Sequence, residues 1–215
     1  MATQLRNSLR PERELRHILI SSFGELSFLE FISLMRSEES IFQIIDRNNG
    51  FLVVDSGEDI ASNFKKMGGF FKLCKISCEK GVVQDISKFD YALESSLREI
   101  AVSRKVIWGV SVYSSNSSKL KQIYDDLADS LSRALSLMGA NRNKRLDSKF
   151  TMLGHAYAME VQSAEVSNKL LPPAGVEIIA VDSPNGLYLG RTISCVDQKT
   201  FNERDIGRPF QRPEI

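Results

Sequence analysis

The sequence predicts an α+β protein, and three patterns carry that reading. Through the first 80 residues, short apolar runs rich in β-formers alternate with helical stripes in the order β-α-β-β-α-β. The pair Asn49-Gly50 sits between two strand-like runs, as a tight hairpin turn requires, because both residues tolerate positive φ. Farther along, Leu120, Ile123, Leu127, Leu131, Leu135 and Met138 keep helical spacing, the strongest periodic signal in the chain.

The elements follow in order. Residues 17–23 (HILISSF) read as a strand, and Leu26, Leu29 and Ile32, widened by Phe28, Phe31 and Met35, as the apolar stripe of a helix in which Ser27 and Glu30 stand at capping-box spacing. Residues 41–46 and 51–55 are the arms of the hairpin. Ile60, Phe64 and Met67 make one face of a second helix, opened by Ser56 or Asp59 and ended by Gly68-Gly69, and residues 70–77 (FFKLCKIS) form the fourth strand. This is the split βαβ, or ferredoxin-like, arrangement, which sets architecture and not function. Residues 85–102 read as a bridging helix, 106–113 (VIWGVSVY) as a strand, and the Ser/Asn-rich 114–118 as the cap of the long helix that Gly139 ends. Residues 141–153 read as a basic loop with a short strand, 157–171 as a helix stopped by Pro172-Pro173, and 175–181 and 187–196 as strands joined by a turn. The expected organisation is an N-terminal ferredoxin-like domain over 1–80, a connecting helix over 81–103, an α/β domain over 104–200 and the start of a linker over 201–215.

The chain has 215 residues, 42% hydrophobic and 26% charged, which is ordinary for a globular protein. No apolar run approaches the roughly 18 residues that cross a bilayer, and residues 1–16 are polar and arginine-rich, unlike a secretion signal. A cytoplasmic protein with no membrane partner is expected. The net charge is +1, yet the charge is uneven: Arg142, Lys144, Arg145 and Lys149 surround the single acid Asp147, and Lys199, Arg204, Arg208 and Arg212 stand against Glu203 and Asp205. A local basic face binds phosphate without a high overall charge, since distant exposed charges are screened. Cys74, Cys78 and Cys195 are odd in number and form neither a disulfide framework nor a zinc site, so they are expected as buried thiols. His17 and His155 are expected to be structural or surface histidines rather than catalysts. No GxGxxG, P-loop lysine, CxxC or HExxH motif occurs, so no catalytic residue and no metal ligand is assigned.

One resemblance is specific by the order of its pieces. Residues 163–170 (SAEVSNKL), Gly175-Val176-Glu177, residues 188–192 (YLGRT) and residues 204–209 (RDIGRP) resemble the THUMP domain of the tRNA guanine-N(2)-methyltransferases that act at position ten. Residues 108–113 resemble its first strand, and 18–35 the ferredoxin-like domain that precedes it in that family. The resemblance implies that the chain is the tRNA-binding, substrate-recognition portion of such an enzyme. The methyl donor S-adenosylmethionine would then be held by a separate Rossmann-type domain, whose glycine-rich loop and Asp/Asn-Pro-Pro-aromatic motif are missing from these residues. A partner chain could supply that domain; the alternative is a free-standing THUMP RNA-binding adaptor with no part in methylation. Phosphate contacts are expected from Arg142, Lys144, Arg145 and Lys149, with Lys169 and Arg191 as further candidates. Two roles are open to Asn168, a terminal base or phosphate contact, or a bond to backbone at a helix end. Arg204, Asp205 and Arg208 are read as a structural ion-pair knot.

Overall fold

Strand pairing dominates the architecture. The computed structural model describes residues 15–21, 24–56, 60–76, 82–83, 89–98, 105–140, 142–153, 156–172 and 174–197. Their order is β1 (Leu15–Ser21), α1 (Glu25–Ser37), β2 (Phe42–Asn48), β3 (Phe51–Ser56), α2 (Ala61–Phe64), β4 (Phe70–Ile76), β5 (Val82–Val83), α3 (Phe89–Arg98), β6 (Lys105–Ser114), α4 (Ser117–Leu137), β7 (Arg142–Arg145), β8 (Lys149–Leu153), β9 (Ala156–Glu160), α5 (Ser163–Glu165), a π-helical turn (Val166–Leu170), β10 (Gly175–Ser183) and β11 (Gly186–Cys195). All the described strands join one mixed sheet in the order β2-β3-β1-β4-β11-β10-β6-β9-β8, with β5 beside β11 and β7 beside β6. The first four strands pair antiparallel throughout. The antiparallel β4–β11 pairing then carries the sheet into the C-terminal half, where β6 pairs parallel with both β10 and β7.

The sheet curls. Asp46 on β2 accepts a hydrogen bond from the Ser183 hydroxyl at the far end of β10, and a Cβ placed on Gly50 would lie 2.9 Å from that of Ala156 on β9. One core runs from Ile18, Ile20, Phe31, Phe64 and Phe70 to Tyr113, Ile179 and Val181. A second lies under α4, whose Leu120, Ile123, Leu127, Leu131 and Leu135 meet Trp108, Val110, Val112, Val176, Ile178 and Ala180. Every expected stripe residue of α4 up to Leu135 is buried, and Asn116 caps the helix by accepting the Ser118 amide at 3.0 Å. No helix among the described residues is long and apolar enough to cross a membrane.

Several local expectations are corrected. Residues 157–171 are helical only from Ser163 to Leu170: β9 occupies the first part, with Ala156, Ala158 and Glu160 buried and Tyr157 and Met159 half-buried, a period of two. Pairing with β6 and β8 overrides the helix preference of Ala and Met there. The stretch expected as a basic loop with one short strand holds two strands, β7 and β8. Ser27 and Glu30 do not form a capping box. The Ser27 hydroxyl donates to the Gly69 carbonyl at 3.0 Å, and the Glu30 carboxylate accepts the Gly68 and Gly69 amides at 2.9 and 2.7 Å, tying α1 to the turn before β4. The first hairpin turns at Asn49-Gly50 as expected, but neither residue has positive φ; Gly50 is needed for its close approach to Ala156.

At the join between the halves lies a buried polar network. Lys72 of β4 and Glu177 of β10 are both wholly buried, and the Lys72 ammonium donates to Glu177 Oε1 at 2.8 Å and to the Val161 carbonyl at 2.9 Å. Ser111 of β6 donates to the same carboxylate oxygen and Thr192 of β11 to the other, each at 2.5 Å. The Tyr113 hydroxyl donates to Glu160 at 2.8 Å, and Glu160 lies 3.9 Å from the ammonium. Burial opposes the charge on Lys72, but the facing Glu177 and Glu160 outweigh it and hold the ammonium above its ordinary value. Removing one member of such a pair strands a buried charge, so Lys72→Met should cost about 3–5 kcal/mol in urea unfolding. Lys72→Met with Glu177→Leu should recover most of that. A single variant within about 1 kcal/mol of wild type would show that the pair does not hold the sheet.

Candidate nucleic-acid interface

The basic residues expected to meet phosphate sit where the sheet meets its edge. Strand β7 lies parallel to the start of β6, with Lys105 opposite Arg142, Ile107 opposite Lys144 and Trp108 opposite Arg145. Side chains alternate along a strand, so Arg142 and Lys144 share the face of Leu146, and Arg145 takes the other. Leu146 is buried with Val161, Val166 and Leu170, directly beneath the π-helical turn. Ile107 pairs on its far side with Gly175, just beyond that turn. Arg142 and Lys144 are thereby brought beside the segment that carries Asn168 and Lys169. Gly175 is glycine because a Cβ there would lie 2.2 Å from the Lys169 carbonyl and 2.5 Å from that of Ile107, so the turn closes tightly onto the sheet.

Arg145 is seated on aromatic rings. Its guanidinium lies 5.5 Å from the ring centroid of Trp108 and 5.0 Å from that of Tyr124 on α4, while the Trp108 indole N–H donates to the Asn143 side chain at 3.4 Å. The sequence marks Arg145 as a cation but not its seat on the two rings; the two-residue alternation of 142–146 against Trp108 carries that signal. Lys149 opens β8, opposite Glu160. Arg142, Lys144, Arg145 and Lys149 are all exposed and make no ion pair among the described residues.

The other candidates are placed differently. Lys169 is exposed and 3.7 Å from Glu165. The Asn168 amide donates to the Ala164 carbonyl at 2.7 Å, the backbone bond that was one of its two open roles. Arg191 is only 7% exposed, in β11 between Lys75 of β4 and Ile178 of β10, so it does not join the surface cluster. Arg204, Asp205 and Arg208 lie outside the described residues, as do His155 and Cys78. His17 is buried in β1. Cys74 is buried and Cys195 half-buried; burial pushes the Cys195 thiol up to about 12, so it is protonated at neutral pH. No group of His, Cys, Asp and Glu side chains among the described residues could hold a metal ion.

No family model and no curated protein matches the sequence. Solved structures do. PH1313 from Pyrococcus horikoshii is 14% identical, over 86% of this chain and 56% of its own, with a TM-score of 0.50. A 4-thiouridine synthetase, crystallised in complex with RNA and with ATP bound, is 11% identical over 85% of this chain and 42% of its own, also at 0.50. The chain thus shares its α+β fold with both and spans about half the length of either. The burial contrast is directly checkable. Arg191→Met should lower stability by roughly 1–3 kcal/mol in urea unfolding, whereas Arg142→Ala with Lys144→Ala should stay within about 0.5 kcal/mol of wild type. The reverse ranking would place Arg191 at the surface.

Proposed function

We propose that this chain binds tRNA through the exposed cations of β7 and β8, and serves as the substrate-recognition portion of a tRNA guanine methyltransferase. The observation that carries the RNA reading is the cluster Arg142, Lys144, Arg145 and Lys149, exposed and without acid partners among the described residues, with Lys169 on the π-helical turn. Exposed cations on a rigid strand are what phosphate binding needs, because displaced counterions supply the driving force. The likeness to a synthetase crystallised with RNA supports the same reading. The methyltransferase part rests on the sequence resemblance over residues 163–170, 175–177 and 188–192. The N-terminal half is read as ferredoxin-like, supported by the antiparallel order β2-β3-β1-β4. The glycine-rich loop and the Asp/Asn-Pro-Pro-aromatic motif that would serve S-adenosylmethionine do not occur in the sequence, so no step of methyl transfer is assigned to these residues. The cytoplasm is the proposed compartment.

Titration of tRNA binding against salt tests the RNA reading. The log–log slope should be about −0.7 to −0.9 per phosphate neutralised, and Arg145→Ala with Lys149→Ala should flatten it by roughly 1.5 and weaken binding without unfolding the protein. Binding that ignores salt, or a double variant that binds like wild type, contradicts it. For methylation, tRNA from cells lacking the gene should lose a methylated guanine nucleoside; unchanged nucleosides would leave RNA binding but remove the methyltransferase role.

A further inference from the structure

We propose that the outer face of β8, centred on Phe150, is a stacking platform for an unpaired base of single-stranded RNA, an inference that rests on the RNA-binding reading above. Strand β8 ends the sheet, and it exposes two large apolar side chains, Phe150 at 60% and Met152 at 58%. Register explains why they share a face: Phe150 lies opposite Met159 and Met152 opposite Tyr157, on the side of the sheet where α4 packs. The Phe150 ring stacks on that of Tyr157, centroids 6.3 Å apart and planes 28° from parallel. One face of Phe150 is therefore backed and held while the other is open to solvent. A ring fixed in advance loses little rotamer freedom when a base stacks on it.

Charge decides the occupant. Arg145 stands on the same face, seated over Trp108 and Tyr124. Trp108 and Val112 on β6 set its offset from Phe150 at four strand residues, about 13 Å, a reach of a few nucleotides. Lys149, Arg142 and Lys144 alternate onto the opposite face of the sheet, which leaves Arg145 as the cation on the side of the ring. A single strand that carries anionic phosphate beside flat bases matches this pairing of one cation with one open aromatic ring, and stacking is worth roughly 1–3 kcal/mol per base. An apolar protein strand added to the edge would leave these cations opposite no acid.

The test measures binding of the full chain to a single-stranded RNA oligonucleotide and to a blunt RNA duplex. Phe150→Ala should weaken single-strand binding about tenfold, as loss of one stacked base implies, and leave duplex binding unchanged. Phe150→Leu should behave like alanine, whereas Phe150→Trp should retain affinity and show fluorescence quenching on binding. Wild-type affinity in Phe150→Ala, or in Phe150→Leu, overturns the platform while the RNA reading stands. A wild-type chain that self-associates and becomes monomeric in Phe150→Ala shows a protein-pairing edge and also overturns it. A wild-type chain that binds neither RNA sinks both.

Discussion

The ion pair between Lys72 and Glu177 is the constraint on which the rest of the structure depends. A charge taken out of water must be met by partners, and here almost every valence is used. Both carboxylate oxygens of Glu177 are occupied, one by Lys72 and Ser111 and the other by Thr192, and the ammonium also meets the Val161 carbonyl. These partners belong to β4, β6, β10 and β11 and to the exit of β9, and Lys72 comes to them from 39 to 105 residues away in the cases of Ser111, Val161 and Glu177. A slip of β4 by one residue would turn the ammonium to the opposite face of the sheet and leave Glu177 buried without its counter-charge. The pair therefore specifies the β4–β11 seam at which the N-terminal strands join the C-terminal ones.

The same network positions the basic edge. Val161, whose carbonyl accepts a hydrogen bond from the Lys72 ammonium and whose amide donates to the Ser111 hydroxyl at 3.0 Å, is also a core residue beneath the π-helical turn. Leu146 packs in that small core and sets the face on which Arg142 and Lys144 emerge. Tyr113, donating to Glu160, fixes the end of β9, which in turn carries β8. The cations thus sit on strands anchored by a buried charge, and the aromatic cage of Arg145 restrains the one cation that faces α4. The backbone that carries them is ordered in advance, so only side-chain freedom would be lost on binding an anion.

Much of the fold was legible in the sequence because the signals were local. The stripe of α4, the β6 run VIWGVSVY and the hairpin at Asn49-Gly50 each follow from spacing alone. What was missed depended on contacts distant in sequence. Residues 156–160 have helix-forming Ala and Met, and only the neighbouring strands make them a strand. Ser27 and Glu30 have the spacing of a cap but bond to a glycine turn about forty residues away. Among the site residues, Arg142, Lys144, Arg145 and Lys149 were found by charge density and are exposed. Arg191 looked equivalent by residue type, yet its strand lies between β4 and β10, and burial removes it from the surface cluster. Lys72 carried no sequence warning, since a lysine inside an apolar run reads as an edge or surface position until Glu177 is brought opposite it.

Hydrogen exchange of the full chain, with and without a tRNA transcript, tests the central claim most directly, that one rigid sheet presents a basic edge to RNA. Added RNA should slow exchange in β7, β8 and the 163–170 segment, and leave β4 and β11, already locked by the buried pair, unchanged. Protection that appears instead on β2 and α1, or nowhere, would contradict the account.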